Sequence, residues 1–109
     1  RQEIIDRIEE EHIHGVIFLT GDRHCTDMSR LELEGGAVIH DLTVSPLTSG
    51  AYDNSKENNT LRIEGTTTPQ RNFAELNFSG PRKDRSCEIV IKDNEGVELW
   101  SKTLKSKEL

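Results

Sequence analysis

The stretch Val16-Ile17-Phe18-Leu19-Thr20-Gly21-Asp22-Arg23-His24-Cys25 decides how the rest of the chain is read. Four consecutive apolar residues specify a buried strand, and Gly21 ends it. Asp22, Arg23 and His24 follow at once, so a rigid strand delivers three ionisable side chains to the rim of a sheet. In an extended chain, Asp22 and His24 at i and i+2 point the same way. A carboxylate and an imidazole so held suit a metal ion or a general acid–base pair. Gly21 lets the backbone come close to a ligand, and Arg23 offers a planar fork of donors to an oxyanion. The same residues also make an ordinary turn, with Asp22 capping a neighbouring backbone N–H.

Upstream, Gln2 to His12 reads as a helix, with Ile4, Ile5 and Ile8 on one face and Glu9, Glu10 and Glu11 toward water. Gly15 suits the helix exit, and His12 and His14 read as capping or surface groups near the negative end of the dipole. Downstream, Met28–Glu34 alternates, Gly35-Gly36 fits a two-residue hairpin turn, and Ala37–Ser45 returns until Pro46 stops it. Residues 47–60 are polar and read as loop, 61–63 as a short strand, and 66–72 as a connection with little periodic signal. Phe73–Phe78 alternates until Gly80-Pro81. A last hairpin runs from Cys87 through the Asp93-Asn94-Glu95-Gly96 turn to about Leu104, and the charged tail 105–109 is expected to fray. The expectation is therefore α+β: one N-terminal helix followed by a mostly antiparallel β-sheet.

A chain of 109 residues has room for one domain at most. Leu, Ile, Val and Phe together number 27, above the roughly 20% level below which disorder is expected. The whole apolar fraction is only 32%, against a usual value of about 45–50%, so the core looks underfilled. Either the domain is marginal or it borrows core from a segment elsewhere in a larger protein. The start at Arg1 rather than Met favours a cut fragment or a processed product. The net charge of −6, with no basic stripe, argues against nucleic acid. It leaves room for an anionic small substrate, because local cations such as Arg23 and Arg30 count for more than the sum. No apolar run approaches the roughly 18 residues of a membrane span. Cys25 and Cys87 form no CxxC pair and read as two separate thiols rather than a zinc knuckle or a disulfide.

Other candidates are weaker. His40 and Asp41 are neighbours in a strand and face opposite ways. Asp41, Thr43 and Ser45 form a polar row that lines a pocket or meets solvent. The hydroxyl-rich Ser45–Gly50 stretch lacks the Gly-x-Ser-x-Gly order of a nucleophile elbow. Asn72 could offer its amide to a ligand, or serve the turn before its strand.

Taken in order, Gly15–His24, then Asp41-Leu42-Thr43-Val44-Ser45-Pro46-Leu47-Thr48-Ser49-Gly50, then Asn72-Phe73-Ala74-Glu75-Leu76 and a closing hairpin resemble the C-terminal part of the alkaline phosphatase D (PhoD-like) family. That family belongs to the calcineurin-like metallophosphoesterases, and the resemblance runs from about Gln2 to Leu104. It implies part of a two-sheet α/β sandwich with a multinuclear metal centre at the strand ends, holding iron and calcium or another di- or trinuclear set. Phosphate esters would be hydrolysed by a metal-activated water. His24 matches the family's last metal-binding histidine, and Asp22 stands where PhoD-like members usually have an aspartate. An anion-binding role for Arg23 and a substrate-binding role for Asn72 are expectations of the residues themselves.

The family's other metal motifs should lie N-terminal to this region, and nothing here resembles them. Residues 1–109 are thus expected to be a single C-terminal fragment, inactive alone, whose partners are a phosphate-ester substrate and the missing N-terminal part. Self-association is expected through free strand edges near Ile17, Phe18 or Phe73–Phe78. The resemblance favours an extracytoplasmic setting. The alternative is a non-catalytic β-rich accessory module in which Asp22 and His24 are only turn residues.

Overall fold

The computed structural model describes residues 1–109 and has the expected α+β character. Helix α1 (Gln2–Glu10) precedes two three-stranded sheets. The first contains β1 (Val16–Thr20), β2 (Asp27–Glu32) and β3 (Val38–Thr43) in the order β1-β3-β2. The second contains β4 (Asn72–Ser79), β5 (Ser86–Asp93) and β6 (Glu98–Lys105) in sequence order. Every pairing is antiparallel except β1 with β3. The tail ends in a short 3-10 turn, Ser106–Glu108.

Helix α1 ends two residues before the expected His12, and a Schellman motif stops it. His12 takes φ 53, its N–H reaches Glu9 O at 3.2 Å, and Ile13 N–H reaches Ile8 O at 2.9 Å. Gly15, expected at the exit, takes φ 74 three residues after His12.

Alternation in β3 sends its side chains to two different layers. Leu42 faces the second sheet and closes the main core with Met28, Cys87, Ile89 and Ile91. Ile39 faces the helix, in a smaller core with Ile8, Leu33 and Ala37. Met28, Leu42, Ile89 and Ile91 are wholly buried, each worth about 1.5–3 kcal/mol against exposure. Beyond the helix the same face turns polar, with Thr20, Asp41 and Thr43 at the ends of β1 and β3.

Three expectations need correction. Val16–Leu19 is not a fully buried strand: β1 pairs only with β3, at the sheet edge, and Leu19 is 64% exposed. The Gly35-Gly36 hairpin has a three-residue loop, not two. Leu33 N–H bonds Ala37 O at 2.8 Å and Gly36 takes the left-handed position at φ 88. The expected strand at 61–63 is an isolated bridge, Ser29 with Arg62, and it covers the outer edge of β2 together with the Thr26–Thr68 bridge.

Candidate functional site

Asp22 and His24 lie on the loop that leaves β1, beside the C-terminal end of β3, where the main chain of Val44 still bonds Thr20 O at 2.9 Å. The loop is not extended. Asp22 and His24 take φ 66 and 61, so the simple alternation argument does not govern their side chains. Left-handed backbone at two non-glycine residues is uphill, and surrounding contacts must hold it.

The segment after β3 supplies one set of those contacts. His24 N–H reaches Ser45 Oγ at 3.2 Å, His24 O accepts from Tyr52 N–H at 2.6 Å, and the ring Nδ1 sits 2.8 Å from Gly50 O. A carbonyl only accepts, so Nδ1 is the protonated nitrogen, and in the neutral ring this tautomer leaves the Nε2 lone pair for a ligand. This is the way a metal-ligating histidine is usually oriented by its second partner.

Beneath this loop lies a buried polar layer. Thr26 Oγ1 donates to Asn72 Oδ1 at 2.7 Å and accepts from Ser45 N–H at 3.0 Å. Asn72 Nδ2 donates to Gln70 O at 2.7 Å and Ser45 O at 3.3 Å, and Asn72 N–H reaches Pro46 O at 2.9 Å. The Ser45–Pro46 bond is cis. Asn72 is thus 1% exposed with its amide fully engaged. It fixes Ser45, which fixes His24, and it presents no free amide to a substrate.

Arg23 faces the other way. Its guanidinium pairs with Glu57 and lies 3.6 Å from Asp27 Oδ1. The hydrogen bond from Arg23 is the main cause holding the Glu57 carboxyl below its ordinary range, and the same bond raises the Arg23 pKa. Arg23 lines a polar cavity of about 410 Å³ with Gly21, Thr20, Asp27, Asp41 and Thr43, whereas Asp22 and His24 do not. Thr20 Oγ1 bonds Asp41 Oδ1 at 3.0 Å on that wall. Of the expected polar row, Asp41 and Thr43 line the cavity, and Ser45 instead serves His24. Cys25 and Cys87 are unpaired and buried, and burial pushes both thiols up.

Sequence reasoning missed Thr26, Asp27, Glu57 and Arg62. They sit in polar connections without periodicity, and only the folded loops bring them together.

Asp22 and His24 offer the oxygen and nitrogen donors that a borderline metal takes. Within this chain no three His, Cys, Asp or Glu side chains converge as a metal site. The donor chemistry of the two residues fits a metal, and their number falls short of a complete site.

A helix followed by two facing sheets, with an Asp-x-His loop locked to a Ser-Pro loop at the strand ends, defines a layered α+β protein. A family model described as PhoD-like phosphatase matches residues 1–90, and the chain belongs to that family. No curated protein and no solved structure matches it.

Proposed function

We propose that the chain is the C-terminal part of a metal-dependent phosphatase or phosphodiesterase that hydrolyses phosphate esters. One observation carries the reading: three sequence blocks, Asp22–His24, Asp41–Gly50 and Asn72, meet through hydrogen bonds, with the His24 backbone held at Ser45 Oγ, its ring held at Gly50 O, and Ser45 held in turn by Asn72. His24 Nε2 and the Asp22 carboxylate would hold the metal, with remaining ligands from the N-terminal part of the same protein. Bound metal ions, iron and calcium or a similar set, would activate water and neutralise phosphate charge. This chain's own contribution is orientation. Gly50 O holds the proton on His24 Nδ1, Asn72 holds Ser45, and Arg23, whose side chain is 41% exposed, would meet the ester's anionic oxygens.

The test uses the full-length gene product, with bound metal measured alongside phosphomonoester and phosphodiester turnover. His24→Ala should lower kcat/KM by about 10–100-fold or more and deplete the metal. The isolated 109 residues should not turn over either ester. Unchanged turnover and metal content in His24→Ala would favour the accessory-module alternative.

A further inference from the structure

The contacts from Ser45, Gly50 and Tyr52 hold one side of the candidate loop. The other side is held by charge. Arg62 is the hub, with its side chain 10% exposed. Its Nε donates to Asp27 Oδ2 at 2.9 Å, one terminal nitrogen to Asn54 O at 3.0 Å, and the other to Glu57 Oε1 at 3.0 Å. The same Glu57 oxygen receives Arg23. Glu57 therefore links a buried, fully engaged arginine to the residue that sits between Asp22 and His24.

Such a network is an uneconomical way to gain stability, since desolvating two charges offsets most of their attraction. What it supplies is geometry. Arg62 has almost no freedom, Glu57 inherits its position, and Arg23 can satisfy Glu57 only if the backbone on either side keeps its turn. That backbone is the left-handed pair at Asp22 and His24, the conformation least able to maintain itself. Asp27, at the far end of the loop and 3% exposed in its side chain, is pinned by the same guanidinium. Resting on the reading of Asp22 and His24 as metal ligands, we infer that Glu57 and Arg62 are positioning residues for this loop: they fix Arg23, and through it the backbone that presents both ligands to the metal.

The experiment uses the full-length, metal-loaded protein, dialysed against graded EDTA with retained metal counted by elemental analysis. Glu57→Gln keeps the shape and removes the charge. It should release metal at about tenfold lower chelator concentration than the unaltered protein, while the metal-free form unfolds at the same temperature. Arg23→Gln should give the same shift, and the double variant no more than either alone, because both break one link. Additive shifts overturn the inference. So do single variants that retain metal like the unaltered protein while His24→Ala sheds it, a result that leaves His24 standing as a ligand. A His24→Ala curve identical to that of the unaltered protein overturns the site reading and the inference with it. Should Glu57→Gln fail to fold, Arg23→Gln carries the test, since that side chain is 41% exposed.

Discussion

Asn72 shows what a single side chain does in this fold. Its amide donates to Ser45 O and Gln70 O and accepts from Thr26 Oγ1, all out of water. Asn72→Ala strands those partners, and a buried group left unpaired costs about 1–3 kcal/mol. The urea midpoint should fall accordingly, with an unchanged slope. Asn72→Asp should do no better, because a carboxylate cannot donate to two carbonyls. His40 is the opposite case, a buried ring whose Nδ1 has no partner. Burial, helped by the charge of Arg30, lowers its pKa from the ordinary 6.5. The sign follows from linkage: below about 6.5 the unfolded chain takes up a proton that the folded chain refuses. His40 therefore costs nothing above its unfolded pKa, and its penalty grows as pH falls toward the depressed folded value. Stability should drop as pH falls below about 6.5, until the depressed folded pKa is reached, and His40→Leu should flatten that part of the drop in denaturant titrations. The sequence placed His40 in the right strand, and alternation set it opposite Asp41. Its missing partner depends on which strands surround it, which no local pattern encodes.

At the scale of elements, local chemistry was the more legible. Gly36 and Gly96 both close three-residue hairpins at φ 88 and 85, and Asp93 Oδ1 accepts from the N–H groups of Glu95 and Val97 at 2.9 Å. The adjacent apolar pair Leu99-Trp100 breaks strict alternation, and a register shift opposite Ile91/Lys92 explains it. The bulge lets both neighbours pack on the main core. Turn length was misread at Gly35 because two glycines suit either loop, and register against β3 decides between them. Gly80 and Gly96 make a clean comparison. Both have positive φ, but a Cβ at Gly96 meets nothing, whereas at Gly80 it would lie 2.3 Å from Asp84 O. Gly96→Ala should cost roughly 1–2 kcal/mol for the left-handed backbone alone. Gly80→Ala adds a clash with main chain and should cost clearly more, read as a larger loss of thermal midpoint.

Taken whole, the molecule is 39 × 32 × 20 Å, with the helix on one face of the first sheet and the second sheet on its other face. That layering followed from the alternation of β3 and β5. The candidate loop was partly legible, since its blocks could be picked out in order, but the hydrogen bonds joining them could not. Asn54, Glu57 and Arg62 come from polar loop sequence whose burial exists only in three dimensions. The same layering leaves a surface unfinished. The core side of edge strand β4 runs Ala74, Leu76, Phe78; the first two pack on the main core and Phe78 is 68% exposed. Leu19, on edge strand β1, is 64% exposed. Unpaired edges carrying large apolar side chains favour association. The isolated chain should therefore sediment as a mixture of monomer and larger species at about 100 μM, well within the micromolar-to-millimolar range where such surfaces aggregate. Phe78→Lys should shift it to monomer without lowering the thermal midpoint, because that ring contributes little to the core. A sedimentation profile that is monomeric from the start, or one that Phe78→Lys leaves unchanged, would show that the β4 edge is not where these chains meet.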